Sequence, residues 1–219
     1  MLKKTTAGLL CAAALLGTPV LSHAFGISDR TGDFLTSFGG SHSSSDLDVT
    51  TATVIYDSDT DLFSLSATMN GAVGSTASGL YIWGVNRGAG IPNFVPEGID
   101  GVRFDMVVIL SPNGTGQVQG VGDLPAGSVT ISGDTITAVV SGSLLASTGF
   151  SKLDYTWNLW PLDSAVGGFA AISDFAPDDA NFTTTPGKVV PEPPALVLIL
   201  AGLALATGSA RRQTVRRLR

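Results

Sequence analysis

The chain has 219 residues, of which 27 are glycine, two histidine and one cysteine, and its formal net charge is −6. Residues 25–190 are far more acidic than that, with seventeen acidic side chains against five basic ones, a net of −12. A phosphate backbone needs a basic face, so this charge excludes nucleic acid as a partner; the lone cysteine excludes disulfide staples and Cys/His zinc sites.

Residues 1–24 read as a signal peptide, expected to be helical: Lys3 and Lys4 supply the positive start, Ala7 to Leu16 the apolar stretch, and Ser22-His23-Ala24 a small-x-small cleavage site. Cleavage is expected between Ala24 and Phe25. The Sec translocon and signal peptidase are the partners this implies. Cys11 follows Gly8-Leu9-Leu10 inside the apolar stretch, which is no lipoprotein box. The exported portion then has no cysteine and one histidine, His42, inside a Ser41–Ser45 run that reads as a loop, a poor base for a Ser-His-Asp triad.

Residues 25–182 read as one all-β domain, an antiparallel β-sandwich of 7–9 strands. Glycine is about 12% of the chain against an average near 7%, and it punctuates short β-prone runs. Leu47–Tyr56 and Leu62–Met69 are expected to form a hairpin, with Phe63, Leu65, Ala67 and Met69 on one face of the second strand. Gly79–Asn86 follows, with Tyr81, Trp83 and Val85 on one face, and then Val102–Leu110. Val129–Ile131 and Thr135–Val140 flank Gly133-Asp134, which reads as a two-residue turn. A helical turn is expected at Ser143–Ser147, a late strand at Leu153–Trp160 and a short last strand at Phe169–Ile172. Residues 183–190 read as a linker.

Four pieces of this domain resemble a recurring ectodomain of exported bacterial proteins: Gly32-Asp33-Phe34-Leu35, Trp83-Gly84-Val85-Asn86-Arg87-Gly88, Trp157-Asn158-Leu159-Trp160-Pro161 and Ile172-Ser173-Asp174-Phe175-Ala176-Pro177. The resemblance implies a β-sandwich and no particular chemistry.

Three features of the domain are candidate sites. Asp57-Ser58-Asp59-Thr60-Asp61 places carboxylates at alternate positions, as in the first half of a calcium loop, but Leu62 stands where that loop needs glycine. Asp57, Asp59 and Asp61 therefore read either as a solvated hairpin turn or as part of a Ca²⁺ site completed by a residue such as Asp174 or Asp178. Trp160 points away from the face shared by Tyr155, Trp157 and Leu159, so it reads either as a packed core aromatic or as the best candidate for an exposed ring on which a sugar could stack. Arg87 is expected to pair with Asp100 or Asp105 and fix a loop. No HExxH, GxSxG or phosphate loop is present, so the domain reads as non-enzymatic, with no cofactor beyond that candidate Ca²⁺.

The end of the chain carries its strongest signal. Pro191-Glu192-Pro193-Pro194 can neither join a sheet nor enter a helix interior, because proline fixes φ and lacks an N–H. Ala195–Ala210 is uncharged and helix-forming, and its sixteen residues sit at the short edge of what spans a hydrocarbon core of about 30 Å. Arg211, Arg212, Arg216, Arg217 and Arg219 then form a basic stop that belongs in the cytoplasm. This order, over 191–219, resembles the PEP-CTERM sorting signal of Gram-negative bacteria. The resemblance implies recognition of Pro191, Glu192 and Pro193 by exosortase, a membrane-embedded protease-transpeptidase, and removal of the tail. Pro194 and Ala195 depart from the small hydroxyl residue often found after that motif. The expectation is thus an inner-membrane intermediate, passed after processing to the cell surface or an extracellular polysaccharide matrix. The alternative is a carbohydrate- or Ca²⁺-binding module delivered by the same route.

Overall fold

The computed structural model describes residues 26–189. The signal segment, the Ala24–Phe25 junction, the Pro191–Pro193 motif, the 195–210 span and the terminal arginines lie outside the described residues.

Period-two alternation builds two sheets. One runs, in spatial order, β1 (Ile27–Ser28), β2 (Val49–Asp57), β3 (Leu62–Met69), β9 (Thr135–Ser141) and β8 (Val129–Ser132), with β12 (Thr185–Pro186) added parallel to β2. The other runs β11 (Phe182–Thr183), β10 (Thr156–Asp163), β4 (Gly79–Asn86), β5 (Met106–Leu110), β6 (Gly116–Val118) and β7 (Gly122–Asp123). Apart from β12, every strand pair is antiparallel. Among the described residues there is no α-helix, only short 3₁₀ turns, and no helix long and apolar enough to cross a membrane.

The sheets pack in a sandwich-like arrangement through one face each. From β3 come Phe63, Leu65, Ala67 and Met69; from β4 Tyr81, Trp83 and Val85; from β10 Trp157 and Leu159, all buried. Phe63 meets Trp157 edge to face with centroids 5.5 Å apart, which ties the two sheets together. Each side chain of this size contributes about 1.5–3 kcal/mol by leaving water.

A second core covers the outer face of the β10–β4–β5 sheet. The 87–105 connection brings Phe94 and Phe104, and the 164–181 connection brings Phe169, Ile172 and Phe175, onto Ile82 and Trp160. Gly84 makes this possible: a Cβ there would lie 2.3 Å from the Trp160 ring, so only glycine lets the indole rest on β4.

Several expected boundaries differ. The strand expected from Val102 begins at Met106, and the one expected from Leu153 starts at Thr156 after a 3₁₀ turn over Lys152–Asp154. Trp160 does not end that strand. Pro161 continues it, paired with Tyr81, because β11 pairs only with Thr156 and Trp157 and no strand on that side needs a donor at 161. Phe169–Ile172 is no strand; Gly168–Ala171 forms a 3₁₀ turn. The helical turn near Ser143 lies at Gly142–Leu144. Residues 183–189 are not a free linker. Thr185–Pro186 pairs with Ile55–Tyr56, and Thr184 Oγ1 accepts from the buried Trp157 indole at 2.9 Å.

Candidate cation site

The aspartates of the β2–β3 turn do not converge. Asp57 Oδ1 accepts the Asp59 N–H at 3.0 Å, and its Oδ2 accepts the Val189 N–H at 3.2 Å. Lys188 Nζ pairs with Asp59 and lies 3.5 Å from Asp57 Oδ1. Asp61, at φ 54°, takes Lys152 Nζ on its two oxygens at 2.5 and 2.8 Å and the Tyr56 hydroxyl at 2.8 Å. Two lysines thus stand where the Ca²⁺ reading would put a metal ion, and the hairpin-turn reading of these aspartates is the one that holds. Burial would raise Asp57, but the Asp59 and Val189 N–H groups and Lys188 outweigh it and hold the carboxyl below its ordinary value. The same balance, with Lys152 and Tyr56 as donors, lowers Asp61.

Trp160 is not available to a sugar. It does point away from the inter-sheet core, yet only 4% of it is exposed, and Phe94, Phe104 and Phe175 surround it at ring distances of 5.3, 4.9 and 5.9 Å. Arg87 pairs with Asp105 and not Asp100: Nε donates to Asp105 Oδ1 at 2.9 Å and Nη1 to the Ala146 carbonyl at 3.0 Å. Asp105 also accepts the Thr148 hydroxyl, and these donors outweigh its burial to hold it low.

A different set of carboxylates meets where β2 begins and β3 ends. Three separate segments build it. The first is the N-terminal strap, residues 26–35, laid beside β2 by the Asp29 N–H on the Thr50 carbonyl at 2.8 Å. Gly32, at φ 79°, turns the strap so that its N–H reaches Asp48 Oδ2 at 2.8 Å, which brings Asp33 back toward the sheet. The second segment is the turn into β2, which presents Asp48. The third runs beside β10 from Ile172 to Ala176, bridged to Leu162 and Leu159. Ser173 fixes it with its hydroxyl on the Leu47 carbonyl at 2.7 Å, and Asp174 Oδ2 accepts the Val49 N–H at 3.0 Å. Asp178 follows on a loop held by the buried Asn158, whose amide donates to the carbonyls of Pro177 and Ala180 at 2.6 and 2.8 Å.

The outcome is two overlapping triads. Asp29, Asp33 and Asp178 each offer an oxygen within 4.8 Å of the others, and so do Asp33, Asp48 and Asp174. Asp174 and Asp178 therefore join this cluster and not the β2–β3 turn. Asp48 and Asp174 are each 1% exposed, yet no salt bridge of the described residues reaches any of the five acids. Burial, reinforced by the neighbouring acids, pushes Asp174 up to about 8 and Asp29 up to about 6. An all-oxygen, multiply anionic set of this kind has the chemistry to hold a hard cation such as Ca²⁺.

Sequence spacing misses this site because its members lie as far apart as Asp29 and Asp178. The available signals were the aspartates inside the resembling pieces, Asp33 and Asp174, and the reading of Asp174 or Asp178 as Ca²⁺ ligands, there attached to the β2–β3 turn. No family model, no curated protein and no solved structure matches this chain.

Proposed function

We propose that the protein is an exported, non-enzymatic component of the cell surface or extracellular matrix, anchored through its C-terminal tail and processed there by exosortase. The observation that carries this reading is the ordered tail: Pro191-Glu192-Pro193, the uncharged 195–210 run and five arginines in the last nine residues. The signal-peptide pattern at 1–24 supports the same direction of travel, with the motif outside and the arginines inside.

Two features of the domain agree with that role. Its net charge of −12 over residues 25–190 suits solubility among extracellular polymers. Three of its five cations, Arg87, Lys152 and Lys188, are committed to ion pairs with the domain's own aspartates. Carbohydrate stacking on Trp160 is not proposed, because that ring is packed beneath Phe94 and Phe104.

Replacing Pro191, Glu192 and Pro193 together by alanine tests the reading in the native host. The variant is expected to accumulate in the inner-membrane fraction with its tail intact, while the wild-type chain appears outside without it. Equal release and trimming of both proteins would refute the proposed recognition.

A further inference from the structure

We propose that two carboxylate triads sharing Asp33, Asp29–Asp33–Asp178 and Asp33–Asp48–Asp174, bind Ca²⁺ and so fasten the N-terminal strap and the 172–178 segment to the start of β2. The inference rests on the folded domain alone and stands whether or not the tail is processed.

The distances come first. Oxygens bound to one Ca²⁺ lie 2.3–2.6 Å from it, so no two of them can be more than about 5 Å apart. Both triads meet that limit at 4.8 Å, and Asp33 belongs to both, which makes it the centre of the site.

The second observation is a set of buried oxygens without donors. Asp48 is almost fully buried; its Oδ2 takes the Gly32 N–H and the Asn70 amide at 2.8 and 2.9 Å, while its Oδ1 has no partner. Asp33 Oδ1 and Asp29 Oδ2 are likewise buried and unpartnered. A buried carboxylate oxygen left unmatched costs free energy, and adjacent carboxylates cannot all stay ionised without a counter-charge. The chain can satisfy such groups, as Asp46 shows two residues from Asp48. It is equally buried, and the Thr76 N–H and hydroxyl meet its two oxygens at 2.7 and 2.8 Å. The missing counter-charge at Asp33 and Asp48 therefore points outward, to an ion.

Donor chemistry selects the ion. The set holds only carboxylate oxygens, without sulfur or imidazole, which disfavours zinc and copper. Ca²⁺ accepts many carboxylates in irregular geometry, whereas Mg²⁺ demands near-ideal octahedra and keeps several waters. Extracellular calcium modules work at roughly 10⁻⁴–10⁻³ M, and affinity tightens with the number of ligand charges. Each triad supplies three carboxylates, so binding within that range is expected.

The test uses the full-length protein, purified in detergent, stripped with chelator and titrated with CaCl₂ by calorimetry and thermal melting. Saturable binding is expected, with a melting shift of about 5–10 °C when calcium exceeds its Kd a hundredfold, and a smaller response to Mg²⁺. Asp33→Asn is the diagnostic variant, because Asp33 Oδ1 is buried without a hydrogen-bond partner and the fold should survive the change. It is expected to weaken calcium binding tenfold or more while melting, in chelator, no lower than the wild type. Asp48→Asn is expected to weaken binding in the same way. Asp57→Asn and Asp61→Asn are expected to leave calcium affinity unchanged. No heat and no melting shift at 10 mM CaCl₂ would overturn the site. So would wild-type affinity in Asp33→Asn, or an equal response to Mg²⁺.

Discussion

Trp160 and Gly84 form one unit. The indole lies on β4 only because residue 84 has no Cβ, and Phe94, Phe104 and Phe175 then seal it from water. Gly84→Ala forces a Cβ into the ring at 2.3 Å, so the indole or the strand must shift. A loss of about 1–3 kcal/mol or more is expected in denaturant unfolding. Trp160→Ala opens a cavity in the second core and is expected to cost about 3–5 kcal/mol. An unchanged midpoint in both variants would mean that the outer cover of this sheet adds no stability. Asp46 marks the contrast with the cation site at the same scale. Its oxygens are matched by Thr76, so Asp46→Ala is expected to cost about 1–3 kcal/mol, equally with calcium or with chelator.

Among the elements, β3 and β4 were legible to the residue: Leu62–Met69 and Gly79–Asn86 are read from alternation and found at those bounds. A strand buried on one face writes its exposure into the sequence with period two. The connections over 87–105 and 164–181 carry no period, so their phenylalanines gave no sign of covering a sheet, and the exposed reading of Trp160 stayed open for that reason. The turn aspartates left two readings open, a hairpin turn and a Ca²⁺ site, and the structure supports the turn. Asp57-x-Asp59-x-Asp61 has calcium-loop spacing, but neighbouring carboxylates in a tight turn are readily consumed by nearby N–H groups and lysines. The five-carboxylate set, assembled from three distant segments, is a product of topology and leaves no local pattern.

The 87–105 connection is held at its ends by Arg87 and Asp105, a pair whose side chains are about 10% exposed. The carboxyl is held below its ordinary value of about 3.9, so the unfolded chain takes up the proton first as acid is added. The contribution of Asp105 to stability is therefore present above about pH 4 and lost as pH falls through the lower folded value. The groups that face it are the Arg87 guanidinium and N–H, the Ala89 N–H and the Thr148 hydroxyl. At pH 7, Asp105→Asn strands the guanidinium and is expected to cost about 3 kcal/mol. Urea melts across pH 2–7 should show the gap between the variant and the wild type closing below pH 4. A constant gap down to pH 2 would remove the ionised pair as its cause.

Taken whole, the molecule joins an acidic β-domain to two terminal segments proposed here as signals for export and for retention. The domain is folded almost to the motif: Val189 donates its N–H to Asp57, and only Val190 separates it from Pro191. Processing near Pro191 would therefore free the domain without an additional flexible tether, and the calcium proposed for its N-terminal strap would be bound in the extracellular medium. The most direct measurement is mass spectrometry of the protein recovered from the cell surface and culture medium of the native host. Peptides ending at or close to Pro191, with none from Ala195 onward, are the expected result. Recovery of extracellular peptides spanning residues 195–219 in proportion to the rest of the chain would contradict delivery through a processed tail.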